Sequence, residues 1–137
     1  MPVRTEEYDH FIFIVYSKET NADYTTLKEK LLHFLSTYDG EKDFIIDLTR
    51  CKMVNSLEIG IFARVLSRAK EAKRCLRLIT NDDVRESFDE LPMFMGKYLV
   101  YYESTQAFTD ELKRYQGQPL PSPATSGEND SNNTHDT

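Results

Sequence analysis

Apolar and polar positions divide this chain into short segments of two periodicities. His10 to Tyr16 (His-Phe-Ile-Phe-Ile-Val-Tyr) is rich in β-branched and aromatic side chains and predicts a strand. Residues 2–8, where Val3 sits among polar neighbours, predict a short edge strand, joined to the next through a Glu7-Tyr8-Asp9 turn as an antiparallel hairpin. Tyr24, Leu27, Leu31, Leu32, Phe34 and Leu35 then recur at helical spacing, predicting a helix capped by Asn21, running to about Thr37 and ended by Asp39-Gly40. The run Phe44-Ile45-Ile46-Asp47-Leu48-Thr49 reads as a buried strand. After a short connection, Asn55 and Ser56 open a helix with a stripe at Ile59, Phe62, Leu66, Ala69 and Ala72, continuing to about Arg74. Glu58 follows Asn55 by three residues, the spacing of a capping box.

Leu76-Arg77-Leu78-Ile79 predicts another strand, and Asn81 caps a helix from Asp82 to Glu90 that Leu91-Pro92 stops. Met93-Phe94-Met95-Gly96 is an apolar connection, Tyr98 to Tyr102 the last strand, and Ser104 the cap of a final helix carrying Phe108 and Leu112 to about Tyr115. The resulting order, β-β-α-β-α-β-α-β-α, predicts an α/β fold: a mostly parallel sheet of about five strands with an N-terminal antiparallel hairpin and about four helices. Loops at the carboxyl ends of parallel strands form the usual functional edge, and the Asn55-Ser56 turn falls there. From Gln116 onward Gly, Pro, Ser, Asn and Thr dominate. Residues 1–115 are therefore expected to form one domain and 116–137 a disordered tail whose removal leaves stability unchanged.

Composition narrows the function classes. The formal charge of −6 is unlike the basic surface of a nucleic-acid-binding protein, although three of those charges, Glu128, Asp130 and Asp136, lie in the tail. No apolar run is long enough to span a membrane, and the first residues lack the apolar region of a signal peptide, so a cytoplasmic protein is expected. Cys51 and Cys75 are expected at opposite ends of the sheet as free thiols. His10, His33 and His135 show no metal-ligand spacing with them, so neither metal nor cofactor is expected. There is no P-loop, dinucleotide-binding turn or nucleophile elbow, and Ser56 has no histidine close in sequence; an enzyme is not expected.

Taken together, Ile45-Ile46-Asp47-Leu48, six residues of connection and Asn55-Ser56-Leu57-Glu58-Ile59-Gly60 resemble the STAS domain, the family named for sulfate transporters and anti-sigma factor antagonists. Arg77-Leu78-Ile79 and Val84-Arg85-Glu86-Ser87-Phe88 resemble its next strand and third helix, and the likeness runs over nearly all of residues 2–115. The resemblance implies a STAS-like fold and an anti-sigma factor antagonist, a partner-switching regulator. Such a protein binds a serine-kinase anti-sigma factor or switch kinase, is phosphorylated by it, and is reset by a serine phosphatase. A non-cycling scaffold subunit of a signalling or transporter-associated assembly is the alternative. A monomer or weak dimer is compatible with either.

On that resemblance Ser56 falls on the phosphorylated serine. The same serine would otherwise be read only as a helix cap. Asn55 stands where the family has Asp, Leu57 where it has Ser or Thr, and Glu58 where it has Gly. A phosphate on Ser56 would meet the Glu58 carboxylate as a like charge. The expected partner-binding residues are Asn55, Ser56, Leu57, Glu58, Gly60, Arg64, Met93 and Phe94. Arg64 and Arg68, four residues apart, read as a solvated face or a contact for an acidic partner, and Met93-Phe94-Met95 as core edge or docking patch.

Overall fold

A computed structural model of the chain describes residues 1–116 and 118–121. Strands β1 (Val3–Glu7) and β2 (Phe11–Tyr16) form the expected antiparallel hairpin, with Val3 opposite Tyr16 and Glu7 opposite Ile12. β3 (Asp43–Asp47), β4 (Leu76–Ile79) and β5 (Leu99–Tyr102) follow in parallel, so the sheet order is the chain order. Right-handed crossovers that always step in one direction put every crossover helix on one face. Helices α1 (Tyr24–Thr37), α2 (Ser56–Glu71) and α3 (Asp82–Asp89) accordingly share the core of Ile12, Ile14, Phe44, Ile46, Leu76 and Leu78. Leu27 and Leu31 of α1, Phe62, Val65 and Leu66 of α2, and Val84 and Phe88 of α3 supply the helical side of that core.

The opposite face is covered by α4 (Thr105–Tyr115), whose Phe108 is buried beside Ile45, Ile79 and Tyr102. Its Phe108 ring meets Phe11, Phe13 and Tyr102 at centroid separations of 5.9, 5.9 and 5.2 Å. The predicted caps of α3 and α4 are in place: Asn81 accepts from the Val84 N–H at 2.8 Å and Ser104 from the Ala107 N–H at 3.0 Å. Two helix boundaries differ from expectation by more than one residue. Asn21 begins a 3-10 turn (Asn21–Asp23) instead of capping α1, because Asp23 turns back and accepts from the Glu19 and Thr20 N–H groups. α2 ends at Glu71, since Lys73 adopts a left-handed conformation (φ +59°) that stops helical propagation.

Gln116 is also left-handed (φ +46°) and caps α4, which turns the chain back over the sheet. Leu120 is consequently buried in the α4-side core, and the Pro121 carbonyl accepts from Arg77 Nη2 at 2.6 Å. The expectation that the chain leaves the domain after Tyr115 is thus corrected for residues 118–121. Residues 117 and 122–137, on which the rest of that expectation falls, lie outside the described residues. A chain ending at Gln116 should be less stable than one ending at Pro121 by about 2 kcal/mol, the usual contribution of a buried leucine. Thermal melts of the two would measure it, and coincident midpoints would refute it.

Arg77 is 2% exposed, yet each of its three nitrogens is hydrogen-bonded on this face. Its Nε donates to Asp43 at 2.8 Å, and its Nη1 to the Tyr102 hydroxyl at 2.6 Å and to Glu111 at 3.3 Å. Asp43, equally buried, also accepts from Arg74 at 3.0 Å and from the Cys75 N–H at 3.2 Å. β3, β4, β5, α4 and the returning segment are therefore tied to one guanidinium and one carboxylate.

Cys51 and Cys75 are free and buried, and burial pushes each thiol up to about 11. Neither should react with Ellman's reagent in the native protein at pH 8, whereas both should in denaturant. A folded-state value above the ordinary 9.0 means that native protein holds these protons longer, so stability should fall as pH rises above 9. Among the described residues, no helix is long and apolar enough to cross a membrane, and no cluster of His, Cys, Asp and Glu could hold a metal ion.

Candidate functional site

The β3–α2 connection leaves the sheet at its carboxyl edge and is held by four hydrogen bonds. Asp47 accepts from the Thr49 N–H and hydroxyl at 2.9 and 2.7 Å, and the Cys51 N–H returns to the Leu48 carbonyl at 3.0 Å. The Asn81 side chain, while capping α3, donates to the Cys51 carbonyl at 2.9 Å. Leu48, Cys51 and Val54 point inward, leaving Met53 63% exposed. The loop is built, with one apolar side chain presented to solvent.

Asn55 caps α2 in extended conformation (φ −100°, ψ 176°). Its Oδ1 accepts from the Glu58 N–H at 2.9 Å, and Glu58 Oε1 accepts from the Asn55 N–H at 2.7 Å. This is the capping box that the spacing predicts. Ser56 is therefore the first helical residue and not the cap. It is exposed, and its hydroxyl has no hydrogen-bond partner among the described residues. Leu57 is 60% exposed, and Gly60 and Arg64 continue the same outward face one and two turns along.

Glu58 lies elsewhere than expected. Its side chain is fully buried, and besides the Asn55 N–H it accepts from the Tyr16 hydroxyl at 2.5 Å and from Lys18 Nζ at 2.9 Å. Lys18, its side chain only 8% exposed, also reaches the Met53 carbonyl at 3.5 Å. Burial, reinforced by donation to the Glu58 carboxylate, pushes the Tyr16 phenol well above its ordinary value. The carboxylate is thus neutralised by an ammonium and turned into the sheet, which removes it from any surface a partner could touch and weakens its repulsion of a charge on Ser56.

Tyr16 and Lys18 were not singled out from the sequence. The available signal was that Glu58 shares the buried helical stripe with Phe62, Leu66 and Ala69, which demands a buried partner. Phe94 is the second correction: it is 2% exposed and packs on Phe88 at 4.8 Å, which in turn meets Phe62 at 6.2 Å. Only Met93 and Met95 of that segment face solvent, at 51% and 56% exposure. Arg68 is half-buried, stacked over Tyr38 at 4.9 Å and paired with Glu71 at 3.6 Å, whereas Arg64 is exposed. Ser56, Leu57, Gly60 and Arg64 are exposed along the first turns of α2.

Comparison of the sequence with known families and with characterised proteins gave no match. The structure gave several. A Thermotoga maritima protein assigned as an anti-sigma factor antagonist superposes with a TM-score of 0.65 over 82% of this chain and 95% of that one, at 14% identity. The chain has the fold of the STAS-type anti-sigma factor antagonists. The solution structure of the Thermotoga protein superposes with a TM-score of 0.58 at 15% identity, over 80% and 87% of the two chains. RsbS of Moorella thermoacetica, in a variant carrying a serine-to-glutamate substitution, gives 0.63 at 17% identity over 83% and 97%. This fold places the capped start of α2 at the carboxyl edge of the sheet.

Proposed function

We propose that this chain is an anti-sigma factor antagonist-like regulatory protein. Through the exposed start of α2 it binds a serine-kinase anti-sigma factor or switch kinase, and phosphorylation of Ser56, reversed by a serine phosphatase, controls that binding. The observation that carries this reading is the presentation of Ser56. An exposed hydroxyl with no partner among the described residues stands on the first residue of a helix held by a capping box, and Leu57 and Met53 nearby in the sequence are exposed apolar side chains. Backbone N–H groups at that end favour an anion, so a phosphoryl group is tolerated by the fold while adding nearly two charges to the surface a partner must desolvate.

Gly60 supports the same reading. A Cβ built there would meet nothing within 4 Å, so no contact inside the chain requires glycine. Gly60→Ala should therefore stabilise the protein by about 0.5–1 kcal/mol through helix propensity alone. If the partner packs on the helix backbone at this point, the same substitution should weaken binding. A denaturant titration and a binding isotherm on one variant test both halves.

The decisive experiment compares wild type, Ser56→Ala and Ser56→Asp for binding to the candidate kinase, with mass spectrometry of the Ser56 peptide after incubation with ATP. Retained binding for Ala and at least tenfold weaker binding for Asp are expected. Equal binding by all three without modification of Ser56 would establish a non-cycling scaffold subunit instead.

A further inference from the structure

We infer that a basic band beside the Ser56 surface docks an acidic segment of the protein partner. This deepens the proposed function and rests on its view that the sheet's carboxyl edge meets a protein. Two grooves share the exposed Arg50 of the β3–α2 connection. One, of about 650 Å³, is lined by Lys18, Arg50, Lys52 and Met53, with Glu19 its single acidic residue. The other, of about 460 Å³, is lined by Arg4, Lys30 and Arg50 around Val3 and Val15 and has no acidic residue. Lys18 is matched by Glu58, but Arg4, Lys30, Arg50 and Lys52 form no ion pair among the described residues.

Four cations around two adjoining grooves, none in an ion pair among the described residues, stand out on a chain whose formal charge is −6. Like charges held together without counterions cost stability, and an acidic ligand relieves that cost. The grooves favour peptide over nucleic acid. Their apolar lining is Met1, Val3, Val15 and Met53, with no aromatic ring for a base to stack on. The negative remainder of the chain repels a long polyanion, whereas a short acidic segment lies within a Debye length of the band and mostly senses its cations. Exposed Met53, at the end of the first groove, adds a flexible apolar contact for a leucine or phenylalanine in the bound segment.

The probe is a capped octapeptide, Asp-Glu-Asp-Leu-Asp-Glu-Asp-Glu, titrated into the full chain at low salt and followed by amide chemical shifts. Shifts are expected at Arg4, Lys18, Lys30, Arg50, Lys52 and Met53. Affinity should fall at least tenfold in Arg50→Glu/Lys52→Glu and several-fold in the milder Arg50→Gln/Lys52→Gln. It should be unchanged in Lys113→Glu/Arg114→Glu, which reverses two charges on α4. Undiminished binding by the Arg50/Lys52 variants, shifts confined to other surfaces, or tighter binding of an oligothymidylate of equal length would each overturn the proposal. The assay contains neither kinase nor phosphate. Its failure alongside a working Ser56 switch therefore rejects the band alone, and its success with an inert Ser56 rejects the switch alone.

Discussion

Arg77→Ala should cost about 3–5 kcal/mol of folding stability, a large share of what a domain of this size possesses. The guanidinium is 2% exposed and bonds Asp43, Tyr102, Glu111 and the Pro121 carbonyl. Truncation leaves a buried carboxylate with only Arg74 and one backbone N–H, and strips the Pro121 carbonyl of its donor. The cost arises mainly from groups left unpaired, not from the pair's net contribution, so Asp43→Ala and Arg77→Ala should be strongly non-additive. Guanidinium unfolding of both single variants and the double measures this. A loss below about 1 kcal/mol for Arg77→Ala would mean that water reaches the network and satisfies it.

Most of the fold could be read from the chain because its parts agree. The β2 run, the α1 stripe and the Asn81 and Ser104 caps each signal the element that forms, and monotonic βα alternation leaves few topologies. What could not be read depends on long-range pairing. Asp43 and Arg77 look like ordinary solvated charges until β3 and β4 are placed side by side, where both face the α4 layer. Leu120 looks like part of a low-complexity tail because a single leucine carries no periodicity. Its burial follows a turn whose left-handed residue is Gln116 and not a glycine, a conformation that glutamine does not announce.

The candidate site divides in the same way. Asn55, Ser56 and the capping box are local and were legible from spacing alone. The inward turn of Glu58 was not, because its partners Tyr16 and Lys18 lie 42 and 40 residues away in sequence. Phe94 belongs to the core through Phe88, a contact across a turn that a run of three apolar residues does not specify.

Replacing Glu58 should be the second costly change, and should leave the surface chemistry of Ser56 almost untouched. Glu58→Ala removes acceptors from the Asn55 N–H, the Tyr16 hydroxyl and the Lys18 ammonium, all buried or half-buried. The loss should be about 3 kcal/mol, well above the 0.3–1 kcal/mol of an exposed first-turn charge, because the Lys18 ammonium is left uncompensated in a site it cannot easily leave. Glu58→Gln keeps the shape and one acceptor and should cost less. A carboxylate neutralised by Lys18 should not repel a negative charge on Ser56 appreciably. Ser56→Asp alone, an acidic residue in the first turn, should be neutral or stabilising by about 0.3–1 kcal/mol. In a double-mutant cycle with Glu58→Gln, coupling should stay below about 0.5 kcal/mol. Urea titrations of the four proteins suffice. A coupling above about 1 kcal/mol would show that Glu58 opposes charge at Ser56 despite Lys18, and would make Glu58 a brake on phosphorylation. A stability loss from Glu58→Ala no larger than that of an exposed charge would show that the Tyr16–Glu58–Lys18 cluster is not what holds the start of α2 against the sheet.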